Sequence, residues 1–148
     1  MSKIFLDTNI VADLLLEREP WVDSIETILN IYDYGLFDDL VCSSISLGTV
    51  YYLMTRAKIP HNMIIDKFKR FRRLCRIASV GERTFDMALQ SQFLDLEDAM
   101  QYYSALSEGC DVIITRNKKD FSEAQIDVME PQELLDEFYN QTEYQPCT

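Results

Sequence analysis

Short apolar runs alternate with longer segments of helical periodicity, and this alternation most constrains the fold of the 148-residue chain. Each run is brief and contains Val or Ile, and polar residues follow it. The runs cover residues 3–7, 40–44, 75–80 and 111–115, with a weaker one at 125–130. Strands that alternate with helices form βαβ units. The pattern therefore predicts an α/β protein whose mainly parallel sheet is covered on both faces.

Between these runs, apolar residues recur at spacings of three and four, as one face of an amphipathic helix requires. The predicted helices cover residues 22–34, 46–57, 97–108 and 131–139. Pro131 stands at a favourable first helical position, and Gly109 follows a periodic segment as a helix-ending glycine does. We expect one domain over residues 1–140 and a polar, flexible tail over residues 141–148.

Composition argues against several classes of protein. No apolar run approaches the ~18–20 residues that cross a bilayer, and the N-terminus lacks an apolar signal segment, so we expect a cytoplasmic protein without a membrane partner. His61, the only histidine, follows Pro60 in a predicted turn, so we expect no histidine-based catalysis. The cysteines lie more than 30 residues apart, which predicts free, mostly buried thiols at Cys42, Cys75, Cys110 and Cys147.

The formal net charge of −11 argues against a passive nucleic-acid binder, because the surface of such a protein is normally basic. It does not exclude a nuclease. An enzyme that cuts phosphodiesters with metal ions needs clustered carboxylates, and the bound cations supply the positive charge.

Carboxylates stand at the ends of the predicted strands, where open parallel sheets bind their ligands. Asp7 ends the first strand, Asn117 and Asp120 follow the fourth, and Asp98 begins the helix that leads into the fourth. Converging carboxylates repel one another unless a cation lies among them, and hard oxygen ligands favour Mg²⁺ or Mn²⁺. The pattern indicates metal-dependent phosphodiester hydrolysis. Each Asp, like Asp95, also has a purely structural explanation as a helix N-cap or turn former.

Two stretches of sequence, LDTN near the start and LEDAMQYYSALSEGCDVIITRNKKDF late in the chain, resemble the PIN-domain family (PilT N-terminus), including the VapC-type toxins. The resemblance covers about residues 3–130. It implies a three-layer α/β/α fold around a central, mainly parallel sheet of four to five strands. It also implies an acidic pocket that binds Mg²⁺ or Mn²⁺ and cleaves single-stranded RNA. An antitoxin protein and a second copy of the chain are candidate partners.

Carried over position by position, the resemblance makes Asp7, Asp98 and Asp120 the catalytic and metal-binding carboxylates. Many family members have Asp where Asn117 stands, so it stays open whether Asn117 or Asp120 is the last metal ligand. We favour Asp120 as the carboxylate and Asn117 as a neutral ligand. Polar neighbours that would orient carboxylates and waters are Thr8, Asn9 and Thr115.

The helix after the second strand departs from the family. The family usually has Glu there, and Thr49 occupies that position in this chain. A Thr hydroxyl can orient water but adds no negative charge, so metal affinity is expected to fall unless Asp95 or Glu97 compensates. Two hypotheses follow: an active endoribonuclease, or a catalytically weak module that binds RNA or protein. A phosphoaspartate enzyme of the haloacid-dehalogenase type normally needs a second Asp where Asn9 stands, which disfavours that alternative.

Residues 67–76, KFKRFRRLCR, hold six of the 14 basic residues of the chain. Interleaved Phe68, Phe71 and Leu74 predict an amphipathic helix whose basic face meets solvent. That face is either a solvated charged surface or a contact for RNA or an acidic partner. Its basic residues are Lys67, Lys69, Arg70, Arg72, Arg73 and Arg76.

Overall fold

In the computed structural model, which describes residues 2–142, five short strands form one parallel sheet. The strands are β1 (Lys3–Leu6), β2 (Asp39–Ser43), β3 (Arg76–Ala78), β4 (Val112–Ile114) and β5 (Asp127–Met129). Their order across the sheet is β3-β2-β1-β4-β5, and every neighbouring pair is parallel. The predicted parallel sheet is therefore confirmed. Strand β1 lies at its centre, so residues that follow β1 are surrounded by other elements.

Seven α-helices and one short 3₁₀ helix connect the strands within the described residues. The helices are α1 (Thr8–Leu15), α2 (Val22–Asp33), α3 (Ser44–Arg56), α4 (His61–Leu74), α5 (Glu82–Leu89), α6 (Leu96–Ser107) and α7 (Pro131–Thr142), and the 3₁₀ helix is Lys118–Phe121. Pro131 begins α7, and Gly109 follows α6 at φ +72°, as the sequence predicts.

Alternate residues of the central strand pack on opposite sides of the sheet, as the two-residue period of a strand requires. Ile4 and Leu6 belong to a large buried cluster formed with helices α1, α2, α3, α4 and α7. Phe5 belongs to a second cluster, which includes Tyr102 and Ala105 of α6. Helices thus cover both faces of the sheet in three layers.

Some boundaries differ from the prediction. The predicted basic helix over residues 67–76 is part of α4, which begins at His61 and ends at Leu74, so Arg76 lies in β3 instead. Helix α5 is not predicted, because it has only eight residues and Ala88 is the only one of them that is buried. Helix α7 continues to Thr142, past the predicted start of the tail at residue 141.

The predicted thiols are free and buried at Cys42, Cys75 and Cys110, whereas Cys147 lies outside the described residues. A hydrogen bond with the Cys42 side chain, and then burial, raise the pKa of the Cys75 thiol. None of the helices described is long and apolar enough to span a membrane.

Substitution of glycine by alanine should have opposite effects on the free energy of unfolding at two positions. Gly48 lies within α3 with no atom within 4 Å of an added Cβ, so Gly48→Ala should raise the free energy of unfolding by about 0.5–1 kcal/mol. Gly109 adopts φ +72°, so Gly109→Ala should lower it by about 1–2 kcal/mol because a Cβ disfavours the left-handed region. Urea denaturation measures both shifts. A stabilising effect of Gly109→Ala would contradict the assigned helix end.

Candidate functional site

The site is built around Asp7, which directly follows the central strand β1 and caps helix α1. Its Oδ1 accepts a hydrogen bond from the backbone N–H of Thr8 at 2.8 Å. Its Oδ2 accepts one from the Thr115 hydroxyl, just beyond β4, at 2.8 Å. Asp7 is only 6% exposed. The carboxylate is therefore held at the edge of the sheet where the carboxyl ends of β1 and β4 meet.

Gln101 of α6 joins this carboxylate to two further elements and was missed by the sequence analysis. Its buried Nε2 donates to Asp7 Oδ1 at 3.3 Å and to the hydroxyls of Thr8 and Ser46 at 2.7 Å each. Its Oε1 accepts from the Ser43 hydroxyl at the end of β2. The two amide hydrogens are shared among three acceptors, which fixes the side chain. One signal could have revealed it: Gln101 follows Asp98 by three residues, on the same helix face.

Several carboxylates meet beside Asp7. Burial is the largest cause that raises the pKa of Asp98, to about 7, and the charges of Asp95, Asp7, Asp120 and Glu97 raise it further. Burial also raises the pKa of Asp7, and Asp120 adds to that rise. The pKa of Glu97 is raised by burial, by Asp95 and by Asp7. The predicted catalytic acids therefore share one region of negative potential.

Asp98 and Asp120 also line one cavity of about 210 Å³ together with Asp95 and Lys119. Asp120 lies exposed in the 3₁₀ helix. Asn117, exposed at the start of that helix, donates its backbone N–H to the Thr115 hydroxyl at 3.1 Å. Asp120 carries a charge that acts on Asp7 and Asp98, whereas Asn117 is neutral, and which of the two is the last metal ligand stays a prediction.

The remaining predicted neighbours contact the same network. Asn9 Nδ2 donates to the Thr115 hydroxyl at 3.3 Å. Asp95 caps α6 by accepting from the Asp98 N–H at 3.0 Å. The Thr8 hydroxyl lies 3.5 Å from Glu97 Oε1. The structural roles that the sequence analysis allowed for Asp7 and Asp95 as N-caps are thus real, and Asp95 also lines the cavity that contains Asp98 and Asp120.

Thr49 lies half-buried in α3, one helical turn after Ser46. The Ser46 hydroxyl contacts the Thr8 hydroxyl at 2.8 Å and Gln101 at 2.7 Å. Because residues three apart share a helix face, Thr49 lies on the face of α3 that meets the site. Ser46 is the residue of α3 that the sequence analysis missed.

The donor chemistry fits a hard divalent cation, since the pocket offers carboxylate oxygens whose mutual repulsion a cation would relieve. Among residues 2–142, no group of three or more His, Cys, Asp or Glu side chains is arranged to hold a metal ion. The metal ligands named from sequence therefore remain a prediction, supported by the charges and not by a formed coordination shell.

A second polar cluster borders the site through the residue after Thr115. Arg116 donates to the buried carboxylate of Asp13 from Nε at 2.6 Å and from Nη2 at 3.3 Å. Arg18 Nε donates to the same carboxylate at 2.8 Å. The Arg116 guanidinium lies 3.9 Å from the ring centre of Trp21. The sequence analysis missed this cluster, because no motif spacing links α1 to the loop after β4.

The predicted basic surface is divided among several contacts. Arg76 pairs with Asp39 at 3.0 Å and Glu108 at 3.4 Å, and Lys67 Nζ donates to the Leu15 carbonyl at 3.0 Å. The basic residues of α4 border two apolar grooves. One groove of about 650 Å³ is lined in part by Lys69, Arg72 and Arg73, and another of about 210 Å³ in part by Lys67 and Arg70.

The profile that describes the PIN domain matches residues 3–119. The chain belongs to the PIN-domain family. Over 140 residues it is 29% identical to ribonuclease VapC1 of Aquifex aeolicus (strain VF5), and the alignment covers 91% of this PIN-domain chain and 94% of that protein.

Solved structures share the fold at low sequence identity. A chain of a toxin-antitoxin complex from Klebsiella pneumoniae superposes with a TM-score of 0.64 at 21% identity, covering 86% of this chain and 97% of that one. A chain of VapBC2 from Rickettsia felis, bound to a DNA fragment from their promoter, superposes with a TM-score of 0.64 at 18% identity, covering 86% of this chain and 97% of that one. The predicted three-layer PIN fold is therefore confirmed.

The raised pKa of Asp98 predicts a pH dependence of the metal-free protein. Folded Asp98 holds its proton up to about pH 7, whereas its ordinary pKa is 3.8. The folded protein thus binds a proton that the unfolded chain has released, so stability falls as pH rises between these values. Asp98→Asn removes this dependence. In EDTA, the variant should melt higher than the unchanged protein at about pH 8, and the difference should shrink at about pH 5. An equal difference at both pH values would contradict the prediction.

Proposed function

We propose that this PIN-domain protein is a metal-dependent endoribonuclease that hydrolyses phosphodiester bonds of single-stranded RNA in the cytoplasm. One observation carries the proposal: Asp98 and Asp120 line one cavity, and Asp7, held by Thr115 at the edge where β1 and β4 end, acts on the pKa of Asp98. Ligands of open parallel sheets bind at this edge. The relative named ribonuclease VapC1 supports RNA as the substrate class.

The three carboxylates, with Asn117 as a neutral neighbour, would hold Mg²⁺ or Mn²⁺. The cation would supply positive charge against the negative charge that develops on the phosphate oxygens. Three hydrogen bonds keep the Asp7 carboxylate oriented. They come from the Thr115 hydroxyl, the Thr8 backbone N–H and the Gln101 side-chain amide. A neutral amide at position 101 can donate to Asp7, whereas a second carboxylate there would repel it.

We also propose that the protein is the toxin of a toxin–antitoxin pair and has a protein inhibitor. The structural relatives from Klebsiella pneumoniae and Rickettsia felis are described as toxin-antitoxin and VapBC complexes. The basic groove beside Lys67 and Arg70 has an apolar floor that includes Leu14, Leu29 and Leu74. Such a groove suits an acidic amphipathic segment of an antitoxin. A homodimer is a further proposal.

Cleavage of a single-stranded RNA should require both the cation and Asp7. Asp7→Asn removes one carboxylate charge from the proposed metal site, so the rate should fall by about a hundredfold or more. EDTA should abolish cleavage, and Mn²⁺ or Mg²⁺ should restore it. The measurement is cleavage of labelled RNA on a denaturing gel. Asp66→Asn, at an exposed position on α4, is the matched control and should keep full activity. Cleavage that survives both EDTA and Asp7→Asn would overturn the proposal.

Thr49 separates the active enzyme from the alternative, a catalytically weak module that acts by binding. Thr49→Glu adds a carboxylate on the face of α3 that meets the site, so we expect tighter Mn²⁺ binding and faster cleavage. Without metal, the variant should melt lower because the carboxylates repel. Titration calorimetry, cleavage assays and melting curves measure these effects. Thr55→Glu, at the exposed far end of α3, adds the same charge away from the site and should leave Mn²⁺ affinity unchanged.

If Thr49→Glu and Thr55→Glu have the same Mn²⁺ affinity, Thr49 does not occupy the position of the missing acid. If neither the unchanged protein nor Thr49→Glu cleaves RNA with Mg²⁺ or Mn²⁺, the binding module replaces the enzyme as the proposed function.

A further inference from the structure

A second cluster lies outside the proposed metal site. It consists of Asp13, Arg18, Arg116 and Trp21. Its geometry differs from that of an ordinary surface ion pair. Asp13 is fully buried, yet both arginines that contact it keep part of their surface exposed, 36% of the Arg18 side chain and 26% of the Arg116 side chain. Trp21 is 38% exposed. A buried anion thus fixes two cations and an aromatic ring at the surface.

We propose that Arg18, Arg116 and Trp21 form a binding subsite for single-stranded RNA next to the acidic pocket. The subsite takes a backbone phosphate at the two guanidinium groups and a nucleobase at the Trp21 ring. This inference rests on the proposed function, because it names where the substrate of that function is held.

The charge of the cluster suits a phosphate. Two guanidinium groups and one carboxylate carry a net charge of +1. Hydrogen bonds among the described residues use Nε and Nη2 of Arg116 and Nε of Arg18. The remaining N–H groups of these partly exposed side chains make no hydrogen bond within the described part of the chain and can donate to phosphate oxygens.

The Trp21 ring adds the second half of the subsite. Single-stranded nucleic acid is commonly bound by basic residues interleaved with aromatic rings on which bases stack. Arg116 covers one face of the Trp21 ring, with its guanidinium 3.9 Å from the ring centre, so a base would stack on the opposite face. The pair with Asp13 restrains Arg116. The ring and the guanidinium are therefore already placed before RNA arrives, which lowers the entropy cost of binding.

The position of the cluster connects it to the proposed cleavage site. Arg116 lies between Thr115, which donates to Asp7, and Asn117. Its backbone N–H donates to Asn9 Oδ1 at 3.3 Å. Asp13 follows Asp7 by six residues, or about 9 Å along a helix axis. An RNA strand held at the cluster would therefore pass close to the acidic pocket.

Trp21 is the only tryptophan of the chain, so its fluorescence reports directly on the subsite. The experiment titrates the full-length protein in EDTA with a single-stranded oligouridylate of about eight nucleotides. Without metal, binding is measured apart from cleavage. We expect saturable quenching that weakens as salt concentration rises. Binding of a labelled oligouridylate is measured in parallel by its anisotropy. If the RNA binds but the Trp21 fluorescence does not change, the RNA lies elsewhere and the proposal is overturned.

Two variants test the named residues by anisotropy of the labelled oligouridylate. Arg18→Gln leaves the Arg116–Asp13 pair in place and should weaken binding by about fivefold or more, and Trp21→Ala should do the same. The matched control is Arg56→Gln. Arg56 also lies over an aromatic ring, that of Tyr52 at 5.8 Å, but at the far end of α3, so its loss should change affinity by less than about twofold.

Circular dichroism melts of each variant identify any loss of folding, and Arg18→Lys, which keeps the charge, should recover most of the affinity if the fold is intact. Equal affinities for Arg18→Gln, Trp21→Ala and the unchanged protein would overturn the subsite. Inorganic tripolyphosphate competes for the phosphate site but has no base to stack. If it displaces the oligouridylate equally well from Trp21→Ala and from the unchanged protein, the stacking role of the ring is overturned.

The outcomes separate the subsite from the proposed function. Metal-dependent cleavage that is insensitive to Arg18→Gln and Trp21→Ala would leave the ribonuclease intact and remove the subsite. Oligouridylate binding that depends on Arg18 and Trp21, in a protein that cleaves no RNA with any added metal, would support the subsite and remove the catalytic proposal.

Discussion

The hydrogen bond from the Thr115 hydroxyl to Asp7 links the ends of the two central strands, and the rest of the site depends on it. Asp7 is buried, which raises its pKa and disfavours its charge. The hydrogen bonds from Thr115, Thr8 and Gln101 act in the opposite direction and lower that pKa. Burial remains the larger effect. The fold therefore holds a carboxylate in the right place while leaving its charge only partly compensated, which favours a cation beside it.

Helix starts contribute to the same compensation. Helices α1, α3 and α6 begin near Asp7 and are capped by the side chains of Asp7, Ser43 and Asp95. The unpaired N–H groups at a helix start carry partial positive charge, which suits carboxylates and phosphate oxygens. Ser43 also donates to Gln101. For α1 and α3, the residue at the end of the preceding strand thus begins the helix, and its side chain also bonds Gln101 of α6.

Much of the fold followed from sequence because the central strands are buried on both faces and read as continuous apolar runs. Helix α5 was not predicted, since its eight residues form only about two turns and a pattern that short is hard to recognise. The candidate acids were chosen through the general rule that places ligands at the carboxyl ends of the strands, and their role as metal ligands stays a prediction. Gln101 and Asp13 were not chosen, because each is a single polar residue whose contacts lie far away in sequence, 94 residues for Gln101 and Asp7 and 103 for Asp13 and Arg116.

The distribution of positive charge bears on how a chain of net charge −11 would bind RNA, its proposed polyanionic substrate. Lys118 pairs with Glu133 at 3.0 Å and Arg76 pairs with Asp39, so these cations are already compensated. The basic groove beside α4 includes Glu17 in its lining, and Glu17 immediately precedes Arg18 of the proposed RNA subsite. A protein segment bound in that groove would therefore lie beside the proposed subsite and would exclude RNA by steric overlap, without contacting the carboxylates of the proposed metal site.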